Sequence, residues 1–364
     1  MKILSRRILH DFDWLFLFNS LAIAACGTLA IYSVGDKGLW IKQVMWVGGG
    51  LFLMILALYD YHKLIRYAPA FYAATILMMG AVIAHGKVIN GANSWLSVGG
   101  FGFQPTELAK ISTIMMLTFY LSKQKKDGQA AVSIKEIIIS GIIVGIPILV
   151  VLAMNDTGSA MTFIPFLFVL LFLSGLRWWM IALAVVIGVV GLVGAYKYVL
   201  KGYQKQRIDA ILFPDKVDPK GFGYHTIQSK VAIGSGGLFG KGLKHGTQSQ
   251  LRFLPFPQTD FIAAAFGEEM GFVGILVVLT LIFLWLMRAI QIAHLARDRI
   301  GMLLIMGFVT LFFAHVVTNL GMVVGLMPVL GIPLPLMSYG GSSMFSTFIA
   351  IGLILNVRLH RFVN

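Results

Sequence analysis

Charge is scarce in this chain. Of its 364 residues only 12% are Asp, Glu, Lys or Arg, while 58% are hydrophobic, and the mean hydropathy is +0.85. A soluble domain carries roughly 25% charged residues to coat its surface, so a water-soluble globular fold is excluded. A single cysteine, Cys26, rules out a disulfide framework or a cysteine metal site. The chain also lacks a phosphate-binding GxxxxGK[ST] loop, an HExxH pair and a GxSxG elbow. An ATP-driven pump, a zinc protease and an ordinary serine hydrolase are therefore unsupported, and nothing points to nucleic acid. Acids are rarer still, 15 against 29 lysines and arginines, so each one asks for a reason.

What is present is apolar sequence in lengths that cross a bilayer. Ten segments qualify: Trp14–Val34, Leu39–Leu58, Leu64–Ala84, Glu107–Leu121, Ile137–Met154, Ser159–Ser174, Trp178–Val199, Phe261–Met287, Ile300–Leu326 and Leu336–Leu355. The expected fold is an all-α polytopic membrane protein, one domain over 1–364 with a long extracytoplasmic loop at 200–259. Lys2, Arg6 and Arg7 ahead of an apolar run suggest a signal peptide, and Ile23-Ala24-Ala25-Cys26 a lipoprotein box. The run continues to Val34, however, so an uncleaved first span is expected. Lys63, Arg66, Lys123, Lys125, Lys126, Lys135, Arg177, Arg288, Arg297, Arg299, Arg358 and Arg361 collect on one side with the N-terminus, whereas the short opposite loops hold little beyond Lys37 and Lys87. The positive-inside rule then places both termini in the cytoplasm.

Most acids have an ordinary explanation as helix caps or solvated loop residues; five stand near or inside spans. Asp260 follows Leu254-Pro255-Phe256-Pro257-Gln258-Thr259 at the head of the eighth span. A carboxylate there is costly unless it faces water or a partner, which marks it as functional by default. Glu107 follows Gln104-Pro105-Thr106, a helix start, and Lys110 three residues on meets it on the same face. Asp156, in Asn155-Asp156-Thr157-Gly158, reads either as a cap for the sixth span or as a substrate ligand. On a helix continued from Asp260, Glu268 lies about 80° and Glu269 about 180° around the axis, so neither pairs with it and packing roles are expected. His315 reads first as a helix–helix hydrogen-bonder, and Trp95 as an interfacial anchor. Glu107, Asp156 and Asp260 all fall on the outer side, where Lys110, Arg207, Lys230, Lys241 and Arg252 form a basic rim suited to an anionic head group.

Several long motifs occur in one order: Phe103-Gln104-Pro105-Thr106-Glu107-Leu108-Ala109-Lys110, Gln228-Ser229-Lys230-Val231-Ala232-Ile233-Gly234-Ser235-Gly236-Gly237, Gly246-Thr247-Gln248-Ser249-Gln250, Thr259-Asp260-Phe261, Gly267-Glu268-Glu269, and Asn319-Leu320-Gly321-Met322 through Gly331-Ile332-Pro333-Leu334-Pro335-Leu336-Met337-Ser338-Tyr339-Gly340-Gly341-Ser342-Ser343. From about Gly91 to its end the chain resembles the SEDS (shape, elongation, division and sporulation) family of bacterial cell-wall polymerases, most closely the RodA-type branch. The resemblance implies ten spans and a peptidoglycan glycosyltransferase in the bacterial cytoplasmic membrane, acting at its outer face on lipid II. It puts the essential aspartate at Asp260 and polar cavity residues at Glu107, Lys110 and Asp156, which with Arg207, Trp95 and Ser338 make up the expected substrate-binding set. It implies a class B penicillin-binding protein and other elongation-complex membrane proteins as partners. A divalent cation, Mg or Mn, held by Asp156 and Asp260 is a further possibility. Two departures stand out: Pro255-Phe256-Pro257-Gln258 replaces the usual Pro-Glu-x-His, and Asn155-Asp156-Thr157-Gly158 the usual Pro-Asp-Leu-Gly.

The chemistry so implied needs a base near an acceptor hydroxyl and positive charge near a leaving pyrophosphate. The rival expectation is a lipid II flippase, which would place these acids near the membrane midplane; a non-catalytic scaffold for the penicillin-binding protein is the third.

Overall fold

The computed structural model describes residues 12–85, 87–89, 92–98, 101–124, 132–198, 202, 205, 209 and 223–362. In chain order these form α1 (Trp14–Val34), α2 (Lys37–Leu56), α3 (Tyr61–Arg66), α4 (Ala68–His85), β1 (Lys87–Ile89), β2 (Ala92–Val98), β3 (Phe101–Phe103), α5 (Pro105–Gln124), α6 (Ile134–Ala153), α7 (Thr157–Met161), α8 (Phe163–Leu173), α9 (Trp178–Tyr198), α10 (Gly223–Gly236), α11 (Thr247–Gln250), α12 (Ile262–His294), α13 (Arg299–Val323) and α14 (Gly341–Leu359). Seven, α1, α2, α6, α9, α12, α13 and α14, are long and apolar enough to cross a membrane, and α4 and the α7–α8 pair are shorter apolar segments. With α5 they account for the ten expected segments. Two of these are jointed: Leu64–Ala84 is the end of α3 plus α4, and Ser159–Ser174 bends at Thr162 between α7 and α8.

The scarce acids are spent largely on starting helices. Asp13, Asp36, Asp60, Asp156 and Asp298 each cap one, accepting from the amides of Phe16, Leu39, His62, Ser159 and Gly301. Each such cap answers an amide that helix geometry leaves without a partner. Ser133 and Glu136 form a reciprocal capping box on α6. Asp13 also ion-pairs with Arg288 on α12 at 2.9 Å, tying the start of α1 to the last turns of α12.

The least apolar of the ten segments is among the most enclosed. Helix α5 packs against α3, α4, α6, α8, α13 and α14 and buries Glu107, Lys110, Ser112, Thr113 and Thr118. Hydrocarbon would not tolerate those groups, so protein must surround them. Helix α9 is the inverse, a run of apolar side chains with none buried along its apolar window. Between α4 and α5 lies a feature the hydropathy did not announce, a small antiparallel sheet β1-β2-β3 with Lys87 opposite Trp95 and Leu96 opposite Phe103.

Helix α12 is broken. Gly271 has φ 67°, and a Cβ there would stand 2.3 Å from the Gly240 nitrogen. Glycine is required both for that conformation and for that approach. Across the break the carbonyls of Glu268 and Glu269 are taken by Lys241 N (3.0 Å) and Gly242 N (2.9 Å), while Phe272 N and Val273 N bond to the carbonyls of Gly237 and Leu238. The 236–250 segment is therefore threaded into the helix. Glu268 is fully buried and accepts from Lys241 Nζ (2.8 Å), Gln248 N (2.8 Å), Ser249 N (3.1 Å) and Ser249 Oγ (2.8 Å). Glu269 accepts from Ser33 Oγ (2.5 Å) and Lys244 N (3.2 Å).

Candidate active site

Asp260 stands in a turn just ahead of α12, whose first residue is Ile262. The helical wheel that related it to Glu268 and Glu269 therefore does not apply. The two glutamates are nevertheless separate from it, because their oxygens are committed to the 241–249 segment.

The backbone of the Asp260 turn is held from several directions. Phe256 O accepts from Thr259 N (3.1 Å) and Phe261 N (3.3 Å), and Gln258 O accepts from Tyr339 N (2.8 Å). Thr259 O accepts from Ser338 Oγ (2.7 Å) and Asp260 O from Asn319 Nδ2 (2.9 Å). Phe256, between two prolines, sits at φ 48°, a left-handed conformation that costs a non-glycine residue about 1–2 kcal/mol. The surrounding structure maintains it: the His225 ring of α10 lies nearly parallel to the rings of Phe256 and Phe261, with centroids 6.4 and 6.3 Å away.

Its side chain is treated differently. The Asp260 carboxylate is partly exposed and forms no ion pair with a described lysine or arginine, its one side-chain hydrogen bond coming from Thr259. Desolvation pushes its pKa up to about 6, the Thr259 bond pulling weakly the other way. A Cβ on Gly331 would lie 3.8 Å from Oδ2, so the glycine leaves open the space beside the carboxylate.

Asp156 joins the same region. Its Oδ1 accepts from Ser159 N (3.0 Å), and its Oδ2 from Ser159 Oγ (2.8 Å) and Gln104 Nε2 (3.1 Å). Gln104 N in turn donates to Ser342 Oγ at 2.9 Å. Behind Asp156, a Cβ on Gly158 would be 2.1 Å from Leu330 O, so only glycine lets α7 lie against this strip. The 330–342 strip thus touches Asp156 on one side and the Asp260 turn on the other.

Glu107 and Lys110 form a second, enclosed group. Lys110 Nζ donates to Glu107 Oε1 (2.7 Å) and to His315 Nε2 (3.0 Å), and Ser346 Oγ donates to Glu107 Oε2 (3.2 Å). His315 Nδ1 donates to Pro333 O (3.3 Å), which fixes the tautomer with Nε2 as acceptor. Glu107 and Lys110 are 4% and 1% exposed. Both charges are consumed internally, and the network ends on the same strip.

The remaining expected residues are dispersed. Arg207 lies outside the described residues. Trp95 lies on β2 with its ring 3.1 Å from a Cβ on Gly102. Ser338 is buried, its Oγ also accepting from Leu334 N (2.8 Å). Lys230 and Arg252 are exposed, whereas Lys241 is bound to Glu268. Among the described residues no three His, Cys, Asp or Glu side chains converge on one point. A magnesium ion commonly takes only one or two carboxylates, together with water and substrate phosphate, so Asp156 and Asp260 remain the residues that would hold one. Asn319 and Gln104 belong to the ordered motifs, but the sequence alone assigns them no role. An asparagine deep in an apolar span was itself a signal, since an amide there needs a partner.

Comparison with known proteins adds context. The family model FtsW/RodA/SpoVE, described as cell cycle protein, matches residues 12–362. The chain is 39% identical to the peptidoglycan glycosyltransferase MrdB of Escherichia coli K12, covering 96% of this chain and 94% of that one. It is 34% identical to the peptidoglycan glycosyltransferase RodA of Treponema pallidum, covering 96% and 98%. Among solved structures it resembles a chain from a study of how a peptidoglycan synthase complex coordinates polymerization and crosslinking (TM-score 0.84, 32% identity, 97% and 99% covered). It also resembles an aspartate-to-alanine variant of the rod shape determining protein RodA of Thermus thermophilus (TM-score 0.74, 28% identity, 97% and 99% covered).

Proposed function

The chain belongs to the FtsW, RodA and SpoVE family and is a polytopic peptidoglycan glycosyltransferase; from that premise we propose that it polymerises lipid II at the outer face of the bacterial cytoplasmic membrane, with Asp260 as general base. Both termini are then cytoplasmic, as the lysine and arginine distribution requires. The observation that carries the reading is the contrast within one turn: an immobilised backbone presenting a carboxylate that has no ionic partner among the described residues. A base of pKa about 6 is ionised at neutral pH yet close enough to it to take a proton well.

In the reaction, Asp260 removes the proton of the GlcNAc 4-hydroxyl of one lipid-linked unit. That oxygen bonds to the anomeric carbon of MurNAc on the other chain as the carbon–phosphate oxygen bond breaks. The α linkage inverts to β, and undecaprenyl pyrophosphate departs with the bonding pair. Because pyrophosphate leaves readily, positive charge rather than a strong acid is what that end requires. Exposed Lys230 and Arg252, with Arg207, are the candidates to supply it. Lys110 contributes by holding Glu107 and His315, and Asp156 with Gln104 by holding the near wall. Trp95 and Ser338 remain candidate substrate contacts, Ser338 through the turn it braces. A divalent cation, Mg or Mn, would be held by Asp156 and Asp260 and would supply further positive charge to the leaving pyrophosphate.

A class B penicillin-binding protein that cross-links the strands is the proposed partner, in keeping with the coordinated polymerization and crosslinking described for the similar complex, and other elongation-complex membrane proteins would join it. Position argues against the flippase alternative, for Asp260 precedes the first turn of its helix. The purified full-length chain, with and without its transpeptidase, should convert lipid II to glycan strands on a gel. Asp260→Ala should lower that rate by about 10²–10⁴, the worth of a general base, with expression and partner binding unchanged. An alanine variant as active as the parent would sink the assignment.

A further inference from the structure

We propose that Asn319 is the positioning residue for Asp260, acting by locking the aspartate's own backbone to the 330–342 strip; this rests on the reading of Asp260 as the base. Asn319 is fully buried on α13. Its two amide hydrogens are divided between two carbonyls from different parts of the chain, Asp260 O at 2.9 Å and Ile332 O at 2.8 Å. Two acceptors on one nitrogen fix which way the amide faces.

The position of Ile332 gives this bridge its meaning. The preceding residue, Gly331, borders Asp260 Oδ2, and the next, Pro333, is held through its carbonyl by His315. His315 and Asn319 are four residues apart and therefore lie on one face of α13. Together they hold consecutive carbonyls of the strip, and Asn319 alone reaches across to Asp260. Asn319 thus joins Ser338 and Tyr339 in setting the distance between the carboxylate and the opening beside Gly331, and of the three it is the one that holds the carbonyl of Asp260 itself. Neither alanine nor serine offers two donors at that reach, and glutamine is one methylene too long.

A structural role alone would also explain a buried asparagine, and the molecule contains the control. Asn356 on α14 is buried to the same degree and donates through Nδ2 to Ala57 O (2.7 Å) and Tyr59 O, far from Asp260 in its contacts. The test compares initial rates of lipid II polymerisation by the full-length parent and its Asn319→Ala, Asn356→Ala and Asp260→Ala variants in nanodiscs, with pH–rate profiles and unfolding temperatures.

Misplacing a reacting group by about 1 Å costs on the order of 10²-fold. Asn319→Ala should therefore lower kcat by about 10- to 100-fold with KM within about twofold. The ascending limb of its pH profile should move down, toward the ordinary carboxylate range of about 4, as the turn relaxes into water. Asn356→Ala should lose comparable thermal stability while keeping kcat and the pH limb. If Asn319→Ala accumulates poorly, Asn319→Asp, equal in size but without the paired donors, is measured for the same kcat and limb. Equal behaviour of the Asn319 and Asn356 variants, or an unmoved kcat for Asn319→Ala, overturns the proposal. An active Asp260→Ala would overturn the base assignment instead, whatever Asn319 does.

Discussion

Asp260 and Glu107 are both acids at helix starts on the same side of the bundle, and the fold handles them in opposite ways. Glu107 has its charge neutralised at 2.7 Å by Lys110, its second oxygen taken by Ser346, and almost no exposed surface. Asp260 keeps a partly exposed carboxylate with only Thr259 beside it, while its backbone carbonyl and those of its neighbours are gripped by Asn319, Ser338 and Tyr339. In one case the side chain is fixed and its charge is spent within the protein; in the other the main chain is fixed and the side chain is left open. Burial and pairing thus mark the acids that hold the bundle together. An acid without an ionic partner among the described residues, on a braced backbone, is what the proposed base looks like.

That contrast can be strained from both ends. Removing one partner of a buried ion pair leaves an uncompensated charge, so Glu107→Ala should destabilise the protein by about 3–5 kcal/mol. The Glu107→Met, Lys110→Met double variant should lose much less. Urea or thermal unfolding in nanodiscs reads both, and a double variant no better than the single one would show that the pair is not acting as a unit.

The next effect is smaller and of opposite sign. Asp260 has a folded pKa of about 6 against roughly 3.9 in an unfolded chain. The fold favours its protonated form, so stability from this group is present below about pH 4 and lost as pH rises through 6. Asp260→Asn should therefore be inactive yet raise the unfolding temperature above pH 6 and leave it unchanged near pH 4. A variant less stable at pH 7 than the parent would contradict the unpaired carboxylate.

The smallest effect concerns Thr259. Its hydrogen bond favours the ionised carboxylate. Thr259→Val should move the ascending limb of kcat/KM to higher pH by a fraction of a unit, with little change in maximal rate. A shift to lower pH would reverse the assignment of that bond.

Much of this was legible in the sequence because a bilayer permits so little. Hydropathy marked the ten segments, and Glu107 with Lys110 declared a pair by spacing. Asp260 declared itself by cost. What could not be read were relationships across long stretches of chain. Gly271 looks like any glycine in an apolar helix until Gly240 is seen against it. Glu268 and Glu269 look like stray charges until the 241–249 segment closes over them. The helical wheel failed at Asp260 because the helix begins two residues later. The motif carrying Asn319 contained the brace without showing what it holds.

The broken helix has a consequence for how the protein is made. Residues 236–250 are synthesised before Ile262–His294, yet Glu268 and Glu269 supply the carboxylates and carbonyls that the earlier segment requires. During translation, as the chain emerges N-terminal end first, that segment must wait unfolded until its anchor has entered the membrane. Asp260 waits longer still: Asn319, Ser338 and Tyr339, which brace its turn, all follow it in the chain, so the nascent protein holds this carboxylate unframed until α13 and the strip beyond it have been made.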